Sequence, residues 1–382
     1  MPFNHLYIHV PFCRRRCSYC DFAIAVRKTV PGPRFVDAVC REIEGLPAAD
    51  IVGIGPLETV YVGGGTPSLL DAGQLRRLLA RVRAAFGLAP GAEVTMEANP
   101  EDVDAATAGA WVGAGINRVS LGVQSLDRAV LAWMHRSHAA ETSLNSARIV
   151  RDAGIPSVSV DVIFGLPERF GVNSVEEAKS LIEAVGPQHL SAYGLTVEPS
   201  TALSRWVERG VVQPASSEAH AERFLQLHEM LGEAGYEHYE VSNYARPGHR
   251  SRHNQVYWSG RSYLGIGPSA HSFDGRRRWW NVRDWTAYER RIASGNLPIA
   301  DHEVLSEDQL RLERVYLGLR DQEGVDAEDV GLLPAGSVSS SIEQGWLVHQ
   351  DGRLKATPEG WLRLDALAAR LGDTLTTSAG GG

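Results

Sequence analysis

The chain has 382 residues, of which 43% are hydrophobic and 22% are charged, which is ordinary for a soluble globular protein. Its formal net charge of −8 excludes a global electrostatic attraction to nucleic acid or to an anionic membrane surface. No apolar run approaches the roughly 20 residues that span a bilayer, and the first residues lack the pattern of a signal peptide. We therefore expect a cytoplasmic protein with no membrane span and no nucleic-acid partner.

Strand-like and helix-like segments alternate along the first two thirds of the chain. The predicted strands are Leu6–Val10, Thr59–Val62, Glu93–Glu97, Arg118–Val123, Ser157–Phe164 and His189–Leu195. The predicted helices are Phe35–Ile43, Asp71–Phe86, Ser143–Ala153, Val175–Ala184 and Glu218–Gly232. Repeated βα units predict an α/β fold with a parallel sheet, and six units indicate a partial (βα)6 barrel. In such sheets ligands bind at the carboxyl ends of the strands.

The last third of the chain has a different pattern. The segment 237–300 is rich in aromatic residues, Gly, Arg and His, and shows no clean helical period. A helix over Glu307–Arg320, a β-hairpin over 345–354 and a helix over Pro358–Leu371 predict a small winged-helix-like α+β module. We therefore divide the chain into a barrel (1–236), a connecting segment (237–300), a C-terminal module (301–373) and a disordered tail (374–382).

Three of the four cysteines lie within eight residues, directly after the first predicted strand. The CxxxCxxC spacing of Cys13, Cys17 and Cys20 lets one loop bind three corners of a [4Fe–4S] cluster, because thiolates are the preferred ligands of such clusters. The fourth iron would be open, and it would bind the amino and carboxylate groups of S-adenosylmethionine (SAM). The alternative is a structural zinc site, with His5 or His9 completing the ligands, although zinc sites usually need a second pair of cysteines.

A glycine-rich turn, Gly63-Gly64-Gly65-Thr66-Pro67, follows the second predicted strand. Three glycines let a backbone approach a ligand closely, so Gly64, Gly65 and Thr66 are candidates for binding the SAM amino group. The alternative interpretation is a tight connection between a strand and a helix.

Polar residues stand at the ends of the next predicted strands. Glu97 ends the third strand and Gln124 the fourth, Arg136 follows, and Asp161 lies late in the fifth. The carboxylate of Glu97 suits the cationic SAM amino group, the guanidinium of Arg136 suits a carboxylate, and Asp161 suits ribose hydroxyls. Each residue taken singly is equally compatible with an ordinary solvated position.

The residues around the cysteines resemble a known family. An aromatic residue, Tyr19, precedes the last cysteine, as in the CxxxCxΦC motif of the radical SAM superfamily. The segments 7–13 and 20–22 look like one branch of it, the oxygen-independent coproporphyrinogen III oxidase-like proteins, and the resemblance continues along nearly the whole chain. It implies that the strand-end residues above bind SAM, and that Tyr7 and Tyr19 pack on it; core packing is the alternative role for Tyr7.

Two departures separate this chain from the oxidase. Phe22 occupies the position where the oxidase has a further cysteine, and only twelve residues precede Cys13. Both features resemble the haem-chaperone branch of the family. That resemblance implies a protein that binds haem and delivers it to haem-dependent partners, such as respiratory enzymes, with a [4Fe–4S] cluster, SAM and an electron donor. The alternative is oxidative decarboxylation of coproporphyrinogen III.

The haem-chaperone branch carries an HNxxYW motif, which is present here over His253–Trp258. His253 is the candidate iron ligand, and Tyr257 and Trp258 offer flat surfaces to a porphyrin. Arg252 and the run Arg276–Arg278 suit its propionates. The alternative is a polar loop that closes the barrel, with His253 as a structural histidine. His271 is a second candidate ligand.

Overall fold

The computed structural model describes residues 3–330, 333 and 335–367. Its strands are β1 Phe3–Val10, β2 Phe12–Cys13, β3 Ala25–Val26, β4 Ile54–Gly64, β5 Leu88–Ala98, β6 Arg118–Gln124, β7 Ser157–Phe164, β8 His189–Gly194, β9 Glu237–Glu240, β10 Asn243–Ala245, β11 Leu264–Ile266, β12 His271–Phe273, β13 Arg277–Asn281, β14 Ile299–Val304, β15 Val325–Asp326, β16 Leu347–Gln350 and β17 Arg353–Ala356. Its α-helices are α1 Gly32–Gly45, α2 Ala72–Phe86, α3 Ala105–Ala114, α4 Arg128–Trp133, α5 Ala140–Asp152, α6 Ser174–Val185, α7 Ala202–Glu208, α8 Ser217–Glu233, α9 Arg252–Trp258, α10 Trp285–Ala293, α11 Glu307–Gly318, α12 Ala327–Val330, α13 Ala335–Glu343 and α14 Pro358–Trp361.

Nine strands form one sheet, in the order β11-β1-β4-β5-β6-β7-β8-β10-β9. The strands from β11 to β8 pair in parallel, whereas β10 is antiparallel to both β8 and β9. All six predicted strands are present, and the predicted α/β fold with a parallel sheet is confirmed. The sheet is open, with β11 at one edge and β9 at the other, as a partial barrel requires.

Alternation along β1 shows how the sequence sorts side chains between the two faces of the sheet. Leu6, Ile8 and Val10 are fully buried in the hydrophobic core. Because successive side chains of a strand point to opposite faces, His5, Tyr7 and His9 all lie on the other face. The polar face of β1 thus extends from the amino end of the sheet to the loop that carries the cysteines.

The helix α2 shows how the connections are defined. Its N-cap is Asp71, whose side chain accepts a hydrogen bond from the backbone of Gln74, and the Gln74 side chain completes a capping box. The helix buries Leu75, Leu78, Leu79 and Val82. The predicted start of this helix at Asp71 is confirmed.

The segment 237–300 contains more regular structure than its sequence pattern predicts. It supplies β11, which pairs with β1 as a further parallel strand, and the strands β12 and β13 of a second sheet, whose third strand β14 crosses the predicted boundary at 300. It also contains α9 and α10. These strands have three to six residues and α9 has seven, so each is too short to show a period in the sequence.

The C-terminal part begins with α11 and contains a hairpin formed by β16 and β17, both close to their predicted positions. The indole of Trp361, in α14, donates a hydrogen bond of 3.0 Å to the carbonyl of Leu319. The end of the predicted helix Pro358–Leu371 and the predicted tail 374–382 lie outside the described residues. No helix within the described ranges is long and apolar enough to cross a membrane.

Candidate functional site

A cavity of about 500 Å³ lies at the carboxyl ends of the parallel strands. The loops after β1 and β4 and the ends of β5, β6 and β7 each contribute to its lining. It brings together the predicted residues Cys13, Cys17, Tyr19, Cys20, Gly64, Gly65, Thr66, Glu97, Gln124, Arg136 and Asp161. The structure therefore places the thiols and the strand-end polar residues around one space, as the sequence predicts.

The three cysteines of the loop are free and half-buried. The Thr66 hydroxyl lies 3.4 Å from the sulfur of Cys13, and Nη1 of Arg136 lies 3.7 Å from the sulfur of Cys17. Burial raises the pKa of Cys13 to about 11 and also raises the pKa of Cys20. These thiols would become thiolates on binding a metal, whose charge offsets the cost of burying an anion.

A single metal ion and a cluster need different arrangements of the ligands in this loop. Within the described part of the chain, no three His, Cys, Asp or Glu side chains converge closely enough to hold one metal ion. A cubane cluster has a different requirement, since each thiolate binds a different iron. His9 lies near the loop, but its Nε2 is 3.0 Å from the carbonyl of Ala23, and neither His5 nor His9 lines the cavity.

The glycine turn packs directly against the cysteine loop. The amide of Gly65 donates a 2.8 Å hydrogen bond to the carbonyl of Val10. A Cβ at Gly65 would lie 2.7 Å from the carbonyl oxygen of Phe12 and 2.9 Å from that of Val10. Gly64 has a φ of +109°, which side-chain-bearing residues rarely adopt. Glycine is therefore required at both positions for the turn to meet the loop.

Glu97 and Asp161 place two carboxyl groups inside the cavity. Glu97 accepts hydrogen bonds from the Tyr61 hydroxyl at 2.8 Å and from the Gly64 amide at 2.9 Å. Asp161 accepts one from the Ser120 hydroxyl at 2.9 Å. Burial raises the pKa of Glu97 to about 7, and it raises the pKa of Asp161 as well. A cationic ligand would stabilise both carboxylates, which fits the ammonium and sulfonium charges of SAM.

Arg136 and Gln124 form the wall between these carboxyls and the cysteines. Nη2 of Arg136 donates to the Asn99 side chain at 2.8 Å and to the carbonyl of Gly122 at 2.7 Å. Its Nε is buried and has no hydrogen-bond partner. Gln124 has a φ of +69°, a strained conformation of the kind that concentrates at functional sites.

Sequence reasoning missed several residues that complete this site. Tyr61 is the hydrogen-bond partner of Glu97, and alternation along β4 would have placed it on the same face as Gly63. Glu101 bonds to His138 at 3.2 Å and to Ser137 at 2.6 Å. Although burial opposes it, these hydrogen bonds lower the pKa of Glu101 to about 2. The sequence pattern does not predict the contact between Glu101 and His138, because the two residues lie on different loops.

Tyr7 is a half-buried residue in the middle of β1. Its hydroxyl is 3.0 Å from Nδ1 of His9, and its ring stacks near Tyr61 with centroids 6.1 Å apart. It is not among the residues that line the cavity, unlike Tyr19. Tyr7 thus lies on the polar face of β1 and belongs to neither hydrophobic cluster of the described residues, and its contact with SAM stays a prediction.

The HNxxYW motif forms α9 at the amino end of the sheet. His253 is 1% exposed, and its Nδ1 lies 2.7 Å from the Thr59 hydroxyl. Its Nε2 lies 3.0 Å from the hydroxyl of Tyr257, and burial lowers its pKa to about 3. Both ring nitrogens are therefore engaged, which is the arrangement of the structural histidine that the sequence analysis kept as an alternative.

The other haem candidates lie on the paired strands β12 and β13, which carry His271 and the arginine run, and on α9, which carries Arg252. His271 is exposed on β12 and stacks on Trp280, with ring centroids 5.7 Å apart. Within the run 276–278, Arg278 forms two hydrogen bonds of 2.8 and 2.9 Å to the carboxylate of Glu313. Arg252 donates to the carbonyl of Gly91 at 2.8 Å. His253, His271 and the run 276–278 are not among the residues that line the cavity of the cysteines.

Comparison with known proteins shows the family to which the cavity-forming part of the chain is similar. The family model of the Radical SAM superfamily matches residues 7–171, which include the three cysteines, the glycine turn and Glu97 to Asp161. Membership of this superfamily implies a [4Fe–4S] cluster and SAM. The residues present fit both groups: three thiols with hydrogen-bond donors on two of them, and buried carboxyls beside them.

Relatives of known identity cover almost the whole chain. "Heme chaperone HemW" of Mycobacterium tuberculosis is 39% identical over 373 residues, which are 97% of this chain and 95% of the relative. The protein of the same name from Synechocystis is 39% identical over 84% of this chain and 78% of the relative. The crystal structure of coproporphyrinogen III oxidase (HemN) from Escherichia coli has the same fold, with a TM-score of 0.80, 23% identity, and coverage of 97% of this chain and 90% of that one. This chain therefore belongs to the radical SAM superfamily and, within it, to the HemW heme chaperone family.

Proposed function

We propose that this protein binds haem and delivers it to haem-dependent proteins, among them respiratory enzymes, in the cytoplasm. The observation that carries the proposal is the 39% identity to a heme chaperone over 97% of the chain. The cavity supports the radical SAM part of this role, because it combines three thiols with two buried carboxyls. A bound cluster would supply an electron to SAM held in the same cavity.

The residues of the cavity have separable tasks in this proposal. Cys13, Cys17 and Cys20 hold the cluster, and the Thr66 hydroxyl donates to the first of these sulfurs. Glu97 orients the SAM amino group through a carboxylate that Tyr61 and the Gly64 amide already hold in place. Fixed partners of this kind reduce the ordering cost of binding.

An electron donor completes the set of partners that we propose. The cysteine loop lies at the surface, where Phe22 is 58% exposed and Arg14 and Arg15 line the mouth of the cavity. A reductant would therefore reach the cluster without entering the barrel.

The competing activity is oxidation of coproporphyrinogen III. The oxidase structure is 23% identical to this chain, so the likeness shows that the two proteins share a fold and carries no information about activity. Phe22 lines the cavity where the oxidase has its additional cysteine. We expect that the chain will not restore growth of a strain lacking anaerobic coproporphyrinogen oxidase. Growth of that strain without added haem would favour the oxidase.

The haem-carrying role is tested by transfer. The full chain is reconstituted anaerobically, loaded with one equivalent of haem, separated from free haem, and mixed with an apo-cytochrome. We expect the Soret band of the holo-cytochrome to appear faster when haem is supplied by this chain than when the same concentration of haem is supplied bound to serum albumin. A chain that binds no haem, or that retains it in the presence of the acceptor, would contradict the proposal.

A further inference from the structure

A second cavity lies at the opposite end of the sheet from the cysteines. This cleft, of about 420 Å³, lies between the amino ends of β1 and β4, helix α9, and residues 318–324 and 353 of the C-terminal part. In the pairing of β1 with β4, His5 faces Thr59, whereas Val10 faces Gly64 near the cysteine loop. Five residues of strand separate the two ends, which is about 17 Å. The cleft is therefore distinct from the cavity of the cluster and SAM.

His5 is the feature of this cleft that indicates a ligand. It is 2% exposed and lines the cleft, and its Nδ1 lies 3.0 Å from the Thr59 hydroxyl. Its Nε2 is buried and has no hydrogen-bond partner. Buried polar atoms in folded proteins are nearly always paired, so an unpaired ring nitrogen beside a cavity indicates a group that binds there.

The hydroxyl of Thr59 links the protonation of His5 to that of His253, because it lies between the two rings. The single hydroxyl of Thr59 lies 3.0 Å from Nδ1 of His5 and 2.7 Å from Nδ1 of His253. If Thr59 donates to His253, it accepts the Nδ1 proton of His5, and Nε2 of His5 presents a lone pair. His253 then donates from its own Nε2 to Tyr257. A hydrogen bond on one ring nitrogen that fixes the other as a metal ligand is the usual arrangement behind a ligating histidine.

Three arginines and the flat face of Trp258 line the cleft, together with the carboxylates of Glu58, Asp321 and Glu323. Arg252 and Arg261 share Glu58 at 4.0 and 3.6 Å, distances at which either guanidinium can turn towards a carboxylate of a ligand. Trp258 also lines the cleft, and its indole nitrogen is buried without a partner. A volume of about 420 Å³ lies within the range of small-molecule sites.

We propose that this cleft is the haem site, with Nε2 of His5 as the iron ligand and His253 as the positioning residue behind it. The inference rests on the proposed haem-carrying function and adds the location of the cargo. It also gives the HNxxYW motif a task that fits its geometry, since His253 is engaged on both nitrogens yet contacts the hydroxyl that orients His5.

The test compares haem titrations of the reconstituted full chain and three single variants. With His5→Ala we expect a displaced Soret band and an affinity at least tenfold weaker, and we expect added imidazole to restore the position of the band. With His253→Ala we expect weaker binding, but a wild-type Soret position at saturating haem, because the ligand itself is retained. The exposed His302 provides the matched control, and His302→Ala should behave as the wild type.

The outcomes separate this inference from the function on which it rests. Binding of haem by the wild type, with an unchanged band and affinity in His5→Ala, would overturn the site and leave the haem-carrying role intact. Failure of the wild type to bind haem would overturn both. If His5→Ala does not fold, Arg261→Ala replaces it, since that side chain is 54% exposed. We expect this variant to bind haem more weakly with the band in its wild-type position, and unaltered affinity would count against the cleft.

Discussion

Two carboxyl groups share the cavity at the carboxyl end of the sheet, and each is raised in pKa by burial. Glu97 reaches a pKa of about 7, so a substantial fraction of it is neutral near neutral pH until a cation arrives. A bound ligand with an ammonium group would favour the ionised form of Glu97. The carboxyl would then release its proton to solvent and accept a charge-assisted hydrogen bond from the ligand. We therefore expect SAM binding to depend on the charge of Glu97.

We expect Glu97→Gln to weaken SAM binding by about tenfold to a hundredfold, because a hydrogen bond to a charged group contributes about 1.5 to 3 kcal/mol. Isothermal titration of the anaerobically reconstituted protein measures the change. Iron and sulfide content should stay at wild-type values, since Glu97 does not touch the thiols. Glu141→Gln, at an exposed position on α5, is the matched control. Equal SAM affinities in all three proteins would remove Glu97 from the site.

Because Gly122 has no side chain, it leaves space for those of Gln124 and Arg136, two of the predicted SAM-binding residues. A Cβ there would lie 2.9 Å from Nε2 of Gln124 and 3.1 Å from Nη2 of Arg136. We expect Gly122→Ala to displace both side chains and to weaken SAM binding with little loss of stability, since both contacts are with the ends of flexible side chains.

The control for this substitution is Gly113→Ala in α3, where a Cβ meets nothing within 4 Å. That change should raise the free energy of unfolding by about 0.5 to 1 kcal/mol and leave SAM affinity unchanged. Titration calorimetry and urea unfolding measure the two effects. If both alanine variants bind SAM as tightly as the wild type, the cavity does not need the space at Gly122.

At the level of elements, the sequence predicts those strands and helices that are long enough to show a period. The capping residue of α2 and the apolar alternation of β1 are both visible in the sequence and both present in the structure. The pairing of β11 with β1 is not visible in the sequence. A strand of three residues shows no period, and the contact joins segments more than 250 positions apart.

The same limit applies to the site. The thiols, Glu97 and Asp161 could be predicted, because strand ends in a parallel sheet meet at one edge. The contact of Thr59 with both His5 and His253 could not, since it joins three elements by side chains alone. Sequence reasoning accordingly selected His253 as the haem ligand and considered His5 only as a zinc ligand.

One buried carboxyl joins the helix α1 to the segment after the barrel. Glu42 accepts hydrogen bonds from Tyr288 at 2.5 Å, from Asn281 at 2.6 Å and from the Gly267 amide at 2.9 Å. Burial nevertheless raises its pKa to about 7, from an ordinary value of 4.5. Between pH 4.5 and about pH 7, Glu42 therefore keeps its proton in the folded state but has lost it in the unfolded state. The stabilising contribution of this group is complete below pH 4.5 and is lost as pH rises through 7.

We expect Glu42→Gln to remove this pH dependence. The difference in unfolding free energy between variant and wild type should shift in favour of the variant by up to about 3 kcal/mol on going from pH 4.5 to pH 8. Anaerobic urea denaturation of both proteins across this range gives the difference directly, and effects of other groups cancel in it. A difference that does not vary with pH would show that Glu42 titrates normally in the folded protein.

At the scale of the whole molecule, one sheet carries two cavities at its two ends. We assign the cluster and SAM to the carboxyl end, where the cavity of about 500 Å³ is lined by the thiols and the strand-end residues. The cleft that we assign to haem lies at the amino end, beneath the C-terminal part. Tyr61 lies between them, since its hydroxyl donates to Glu97 and its ring stacks 5.1 Å from that of His253. In the arrangement that we propose, cofactor and cargo are held apart, and Tyr61 connects the residues behind the two cavities.

The most direct test of this arrangement is a haem and SAM titration of the chain in which Cys13, Cys17 and Cys20 are all replaced by alanine. We predict that this variant loses iron, sulfide and SAM binding, but binds haem with the wild-type Soret position and an affinity within about threefold of the wild type. Loss of haem binding together with the cluster, or SAM binding that survives without it, would contradict the account.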